Sequence, residues 1–174
     1  MKKILILFAL LTAGTAIEGL AQKVLPSPKC VLTQTVGLTD ITITYYRPGL
    51  KGRELDKLAK PGKVWRTGAN NATEFKISNP ITIGGQELPA GTYSLYSIPG
   101  DDEWTLIINK KLSWGTQYDE KQDVMRFPAK ATRWDEKVET FTINISDIDK
   151  NGKDANLELR WGNVSVKAPF TVSK

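Results

Sequence analysis

Short runs in which apolar and polar residues alternate are the feature that most limits how this chain can fold. In the clearest run, Ile41, Ile43 and Tyr45 alternate with threonines, and a period of two residues places successive side chains on opposite faces of a β-strand. Similar runs span residues 73–78, 81–83, 92–98, 104–109, 138–145, 156–161 and 164–172. Glycine, proline and asparagine separate the runs, as is typical of turns. The pattern predicts an all-β fold, an antiparallel β-sandwich with Greek-key or jelly-roll-like connections.

One segment has a helical pattern. Residues 53–60 contain no strand-like alternation, and Pro61-Gly62 follows them. Proline and glycine both end helices, because proline lacks an amide hydrogen and glycine favours extended or left-handed backbone. We therefore expect a single short helix in an otherwise β-rich chain.

The first 21 residues have the pattern of a secretory signal peptide. Lys2 and Lys3 precede an apolar run at residues 4–11, and the small residues Gly19 and Ala21 come before Gln22. The apolar run is too short to cross a bilayer, and no later stretch is long enough. We expect residues 22–174 to form one β-sandwich domain, without an integral membrane segment, that is exported to the periplasm or the extracellular space.

The charge distribution and the cysteine content limit which classes of partner and which covalent links this domain can have. The formal net charge is +5, but the lysines are scattered among acidic residues rather than gathered into a track for phosphates. This distribution argues against nucleic acid as a partner. Cys30 is the single cysteine, so no disulfide can form within the chain, and no pattern specifies an oligomeric state.

The chain contains no histidine, which excludes many catalytic mechanisms. A Ser-His-Asp triad, a Cys-His pair and the common catalytic zinc sites all need an imidazole as base or ligand. Phosphate-binding motifs of the P-loop and dinucleotide type are absent as well. The sequence predicts no cofactor and no catalytic residue, and it leaves carboxylate chemistry, serine-lysine nucleophiles and oxygen-ligated cations as the chemical options.

The loop Gly62–Thr73 combines glycines and asparagines with one tryptophan and one arginine. Glycine and asparagine adopt left-handed backbone at low cost, whereas tryptophan and arginine need packing or a partner, so the loop is expected to have a defined shape. Together with Tyr46-Arg47-Pro48, Gly52-Arg53, residues 89–95 and Trp114-Gly115, it resembles the signature of a family of secreted bacterial proteins, domain-of-unknown-function family 2911. The resemblance covers most of the mature chain. It implies a fold and an exported location, and no activity.

The arginines and aromatic residues around this loop are the candidate ligand-binding set. Guanidinium groups bind oxyanions with two hydrogen bonds and stack on aromatic rings, while exposed tryptophans suit sugars. The predicted site at residues 63–73 would bind a small polar, saccharide or anionic ligand, or a protein partner. The alternative is that the arginines bind backbone carbonyls and the tryptophans fill the core. The candidates are Arg47, Arg53, Trp65, Arg66, Asn70, Asn71, Thr73, Trp114 and Tyr118.

A second motif has the spacing of a calcium-binding loop, with Asp147, Asp149, Asn151, Gly152 and Glu158 at its ligand positions. We regard Asp147, Asp149 and Asn151 as a weak calcium site only. The flanking residues alternate as strands rather than as the helices that the motif requires. A hairpin with a left-handed Gly152 is the simpler interpretation, and it pairs Ile145 with Leu157 and Asp149 with Lys153.

A carboxylate-dependent hydrolase acting on envelope or extracellular glycans is the alternative function. Such an enzyme needs two carboxyl groups on opposite sides of one cleft. Sequence alone does not show which acids converge, and without histidine one of them would have to be retuned by burial. The acids considered are Glu54, Asp56, Glu74, Asp119, Glu120 and Asp123.

Overall fold

The computed structural model describes residues 24–173. The predicted signal peptide, residues 1–21, lies outside the described residues. In the described part of the chain, no helix is both long enough and apolar enough to cross a membrane.

Nine antiparallel strands make up most of the structure, so the predicted all-β class is confirmed. A single α-helix, α1 (Leu55–Leu58), and one 3-10 turn at Glu120–Gln122 are the helical elements between residues 24 and 173. The helix is shorter than the predicted segment 53–60. The strands are β1 (Lys29–Val36), β2 (Thr39–Tyr46), β3 (Thr73–Ile77), β4 (Ile81–Ile83), β5 (Gln86–Leu88), β6 (Gly91–Ile98), β7 (Glu103–Asn109), β8 (Asp123–Ser146) and β9 (Asp154–Val172).

The strands form one continuous sheet in the order β1-β2-β3-β6-β7-β8-β9-β4-β5. Most neighbours in this order are also neighbours along the chain. The exception is the β4–β5 hairpin, which leaves β3 and joins the far edge of the sheet beside β9, where Ile81 pairs with Val172. The chain then returns to pair β6 with β3.

The sheet bends so that the second part of β8 faces β2 across the core. The register between β8 and β9 shifts between Arg133 and Thr142, and such irregularities bend a strand. Beyond the shift, the ring of Phe141 meets the ring of Tyr45 edge to face at 5.8 Å between centroids. The Tyr45 hydroxyl also accepts a hydrogen bond from the Ile143 amide (3.0 Å). Residues from all parts of the sheet therefore share one core.

The alternation that predicted the strands also predicts which face is buried. Ile41, Ile43 and Tyr45 are fully buried, whereas Thr42 and Thr44 between them are partly exposed. In β6 the alternation fails, because every residue from Tyr93 to Ser97 is buried. A strand with two buried faces must be covered on both sides. One face of β6 packs in the core through Leu95. The other face contacts the segment after β7, where the Ser94 hydroxyl donates to the Lys111 carbonyl (2.7 Å) and the Tyr96 ring lies 4.8 Å from the Tyr118 ring. The chain between β2 and β3 runs beside the edge of β6.

This connection, residues 47–72, is held by backbone hydrogen bonds along its whole length. The Leu50 amide donates to Glu139 (2.9 Å), and the Gly62 amide donates to Pro99 (2.9 Å). Trp65 and Ser97 exchange two hydrogen bonds, of 2.7 and 2.9 Å, and form a bridge beside β6. The connection is therefore a fixed part of the fold, and it includes most of the Gly62–Thr73 loop.

Candidate functional site

Trp65 lies in the core rather than at the surface. Its ring stacks on Trp161 (5.4 Å between centroids, 17° between planes) and meets Phe141 and Trp104 edge to face. Aromatic pairs in these geometries stabilise a core beyond the area they bury. For Trp65 the structure therefore supports the architectural interpretation.

The backbone after Trp65 turns sharply and is strained. Thr67 has a φ angle of +51° and Gly68 one of +153°. A β-branched residue with positive φ is rare and costs about 1–3 kcal/mol. The conformation is held from both sides: the Thr67 hydroxyl donates to Ser97 Oγ (2.9 Å), and the Thr73 hydroxyl donates to the Thr67 carbonyl. Thr67 and Thr73 are both fully buried, so their hydrogen bonds are shielded from water.

Residues 70–72 pair with a second loop, residues 113–115. The Ala72 amide donates to Ser113, and the Gly115 amide donates to the Asn70 carbonyl, each over 3.2 Å. Gly115 packs so closely that a Cβ atom there would lie 2.5 Å from Arg66 Cδ and 2.9 Å from the Asn70 oxygen. Residues 70–72, residues 113–115 and the Arg66 side chain therefore all pack against one another.

The side-chain amide nitrogen of Asn70 is buried and has no hydrogen-bond partner among the described residues. The hydroxyl of Tyr96 is buried as well, and its polar partner is the Ser113 side chain, whose hydrogen bond opposes the rise that burial causes in the pKa of Tyr96. Tyr96 as a whole is only 1% exposed. Leaving a buried polar group without a hydrogen bond costs about 1–3 kcal/mol, so such groups are few and need an explanation.

Tyr118 connects Tyr96 to a charged network. Its ring lies 4.8 Å from the Tyr96 ring, and its hydroxyl donates to Asp123 Oδ2 (2.7 Å). Burial, together with this hydrogen bond to Asp123, raises the pKa of Tyr118 to about 12. Arg126 donates to the same Asp123 oxygen and to Glu120 Oε1 (2.9 Å). Since one arginine binds both acids, Glu120 and Asp123 form a structural ion-pair network and not an open pair of catalytic carboxyl groups.

A groove of about 510 Å³ opens beside this contact. Its floor contains apolar side chains, and three of its residues, Lys60, Lys63 and Arg66, are cationic. None of the residues that line it carries a carboxylate. The remaining lining residues are Leu58, Val64, Trp65, Gly115, Thr116 and Tyr118. The groove is therefore basic, with apolar side chains in its lining.

Residues 27–170, most of the chain, match the model of a family described as "Protein of unknown function (DUF2911)". The chain belongs to the DUF2911 family. The predicted resemblance is confirmed, and every candidate ligand-binding residue lies within the matched range. Comparisons with curated proteins and with solved structures give no significant match.

Two of the candidate arginines of this DUF2911 chain have structural partners. Arg47 donates from Nε to the Phe141 carbonyl (3.0 Å) and from Nη2 to the Thr142 hydroxyl (2.8 Å). Arg53 donates to the carbonyls of Leu50 (2.9 Å) and Gly49 (3.0 Å). Neither residue lines the groove. Of the three candidate arginines, the structure brings only Arg66 to it.

Asn71 and Trp114 lie on the outer side of the two paired loops. They form a backbone bridge, and Trp114 is 51% exposed. Both residues line a smaller groove of about 280 Å³ that also contains Glu74. The candidate residues of the DUF2911 chain therefore divide among a core, a basic groove and an exposed edge.

The calcium-like motif is a hairpin, as predicted. Ile145 pairs with Leu157, and Gly152 has a left-handed φ of +65°. Asp149 does not form an ion pair with the Lys153 ammonium; its Oδ1 accepts hydrogen bonds from the backbone amides of Lys153 (2.8 Å) and Asp154 (3.2 Å) instead. These bonds lower the pKa of Asp149.

The other acids of that motif are bound to neighbouring side chains. Asp147 Oδ2 lies 2.6 Å from Lys167 Nζ, and this contact lowers the pKa of Asp147. Glu158 pairs with Asn144 in the β8–β9 ladder and accepts a hydrogen bond from Ser165. Asn151 lies in the turn before Gly152. Within residues 24–173, no three acidic or cysteine side chains are grouped closely enough to hold a metal ion.

Sequence reasoning missed Tyr96, Ser113 and the lysine Lys60 as members of this region. For Tyr96 a signal existed: residues 93–97 read Tyr-Ser-Leu-Tyr-Ser, with bulky side chains on both faces of the predicted strand. Such a run indicates a strand covered on both sides. The pairing of residues 70–72 with 113–115 had no comparable signal, because it joins two irregular loops.

Proposed function

We propose that this DUF2911 protein is an exported, non-catalytic binding module that binds a small anionic ligand in the basic groove beside Arg66. Export rests on the signal-peptide pattern of residues 1–21. The ligand class rests on the charge of the groove, where Lys60, Lys63 and Arg66 face no lining carboxylate. Small-ligand sites typically combine apolar side chains with a few placed polar groups, and this groove combines the apolar side chains of Leu58, Val64 and Trp65 with three cationic ones.

The observation that carries the proposal is the difference between Arg66 and the other two candidate arginines. Arg47 and Arg53 each make two hydrogen bonds to fixed oxygens. Arg66 makes one, a long contact of 3.3 Å from Nη1 to the Asn70 carbonyl, and it has no acidic partner among the described residues. A guanidinium presents five N–H donors. Arg66 is therefore placed in a groove with most of its donors available to an oxyanion.

Strain at the neighbouring backbone supports a functional role for the loop. Thr67 keeps a positive φ although its side chain disfavours it. Strain of this kind is maintained where the surrounding structure fixes a particular geometry, often at binding sites. Here the strained residues Thr67 and Gly68 lie in the chain between Arg66 and Asn70.

A thermal-shift screen with sugars, organic acids, inorganic phosphate and divalent cations tests the proposal. A ligand at a hundred times its Kd raises the free energy of unfolding by about 2.7 kcal/mol, which raises the Tm of a domain of this size by roughly 5–10 °C. We expect organic acids to give such a shift and neutral sugars to give none.

Two arginine variants serve as a matched pair in this screen. Arg66→Ala should remove the ligand-induced shift while the protein still unfolds cooperatively. Arg53→Ala, which changes the same residue type outside the groove, should keep the shift. A wild-type protein that responds to no anion, or a response that survives in Arg66→Ala, would show that the groove is not the binding site.

A further inference from the structure

We infer that the smaller groove beside Trp114, on the outer side of the paired loops, binds an organic cation that carries an alkylated ammonium group. The two side chains that hold this group are the indole ring of Trp114 and the carboxylate of Glu74, and both line the groove of about 280 Å³. No residue lines both this groove and the basic groove beside Arg66. The inference therefore concerns a second site and does not depend on the proposed function.

The chain segments that carry Glu74 and Trp114 run side by side. Near one end of the groove, Asn71 and Trp114 form a backbone bridge. Near the other end, Glu74 pairs with Ser94 in the ladder between β3 and β6, and the Ser94 hydroxyl donates to the Lys111 carbonyl (2.7 Å). Backbone pairing therefore brings the carboxylate and the indole ring to one groove.

The charge of this groove favours a cation. Glu74 is the one charged residue in its lining. The residue is partly exposed, and it forms no ion pair within residues 24–173. A partly buried carboxylate is screened less by water and salt than a fully exposed one. It therefore attracts a positive ligand and repels the anions that suit the basic groove.

The indole ring of Trp114 is available to the same ligand. It is 51% exposed, and it pairs with no aromatic ring and no cation among the described residues. The face of tryptophan attracts cations more strongly than that of tyrosine or phenylalanine. Leu112, which is also exposed, lines the same groove. These apolar side chains suit alkyl groups on the nitrogen better than a bare ammonium, which is strongly hydrated.

The other exposed tryptophan of the described chain shows how such a cation is held. The Arg160 guanidinium carbon lies 4.5 Å from the centroid of the Trp134 ring, and Arg160 Nε lies 3.9 Å from Glu158 Oε1. One cation there contacts both a tryptophan and a glutamate. Trp114 and Glu74 present the same two groups, but no residue in the lining of their groove supplies a positive charge. A ligand would supply it.

Titrations of the mature protein, residues 22–174, with three related alcohols test this inference. Choline carries a trimethylammonium group, ethanolamine carries a bare ammonium, and dimethylbutanol is the neutral analogue of choline in which a carbon atom replaces the nitrogen. Binding is followed by the amide and indole N–H signals in two-dimensional NMR spectra.

We expect choline to shift the indole signal of Trp114 and the amide signals of residues 71–74 and 112–114. It should bind about tenfold or more tightly than either ethanolamine or dimethylbutanol, because the positive charge and the alkyl groups both contribute.

Two variants remove the two contacts, and each has a matched control. Glu74→Gln removes the charge and keeps the shape, and Trp114→Ala removes the ring, so each should weaken choline binding about tenfold or more. Glu87→Gln and Trp134→Ala change the same residue types outside the groove and should bind choline as the wild type does. Glu74→Gln breaks no ion pair and Trp114 is exposed, so both variants should unfold near the wild-type urea concentration.

Equal affinity for choline and dimethylbutanol would overturn the inference, because binding would then not depend on a positive charge. Unchanged choline affinity in both Glu74→Gln and Trp114→Ala would overturn it as well, and so would tighter binding of ethanolamine than of choline. If choline does not bind the wild-type protein, the inference fails while the proposed function stands, because the basic groove is lined by other residues.

Discussion

The two sides of the Lys63–Thr73 loop differ in how completely their groups are paired. On the core side, Trp65 packs against three aromatic rings, and the buried hydroxyls of Thr67 and Thr73 are hydrogen-bonded. On the groove side, Arg66 makes one long hydrogen bond and the Asn70 amide nitrogen makes none with the described residues. One part of the loop therefore stabilises the core, whereas the other part keeps hydrogen-bond donors that could bind a ligand.

Replacing Trp65 should have the largest effect on stability. Trp65→Ala removes a buried ring from a cluster of three other aromatic residues, and such substitutions typically cost about 3–5 kcal/mol in the free energy of unfolding. Urea denaturation followed by circular dichroism measures this loss. Trp114→Ala is the control, because Trp114 is half exposed and surface substitutions usually change stability by no more than about 0.5 kcal/mol. Equal losses in the two variants would contradict the assignment of Trp65 to the core.

Arg47 and Arg66 should differ in the same way as Trp65 and Trp114, but with smaller losses in the free energy of unfolding. Arg47→Ala removes two hydrogen bonds to partly buried oxygens of β8, and we expect a loss of about 1–3 kcal/mol. Arg66→Ala removes one long hydrogen bond, and we expect a loss below about 0.5 kcal/mol. Denaturant titrations of both variants measure these losses in the free energy of unfolding. If Arg66→Ala were the more destabilising of the two, Arg66 would be a structural residue.

Local patterns predicted most of the fold, because β-strands and turns depend on neighbouring residues. Alternation identified β2 and its buried face, and the parity of the hairpin around Gly152 correctly predicted the pairing of Ile145 with Leu157. These features depend on the period of the strand and on left-handed backbone, both of which can be recognised in a sequence.

The division of the candidate site could not be predicted in the same way. Arg47 and Arg66 are both loop arginines next to an aromatic residue, and only the position of β8 shows that Arg47 reaches backbone and hydroxyl oxygens there. Tyr96 becomes part of the site because β6 carries two buried faces and the 113–115 loop pairs with residues 70–72. Both facts depend on contacts between distant parts of the chain, which alternation does not encode.

Alkaline pH should lower stability on both sides of the loop, through tyrosines whose pKa values are raised in the folded state. Burial raises the pKa of Tyr45 at the core, and it also raises the pKa of Tyr96 and Tyr118 near the groove, in the last case to about 12. A tyrosine with a raised pKa in the folded state keeps its proton where the unfolded chain loses it, so the folded state binds more protons above pH 10, and for Tyr118 this window extends to about pH 12. Its contribution to stability is complete below pH 10 and is lost as the pH rises through that window.

Tyr118→Phe isolates the groove-side part of this pH dependence. Urea midpoints of the wild type and the variant, measured from pH 9 to pH 12, should converge as the pH rises, because phenylalanine has no proton to lose. The Tyr118 hydroxyl donates to Asp123 (2.7 Å), so the variant should be the less stable protein at pH 9. Parallel curves across the whole range would contradict a raised pKa for Tyr118, and the hydrogen-bonded network that links Tyr118 to Asp123 and Arg126 would then not persist in solution.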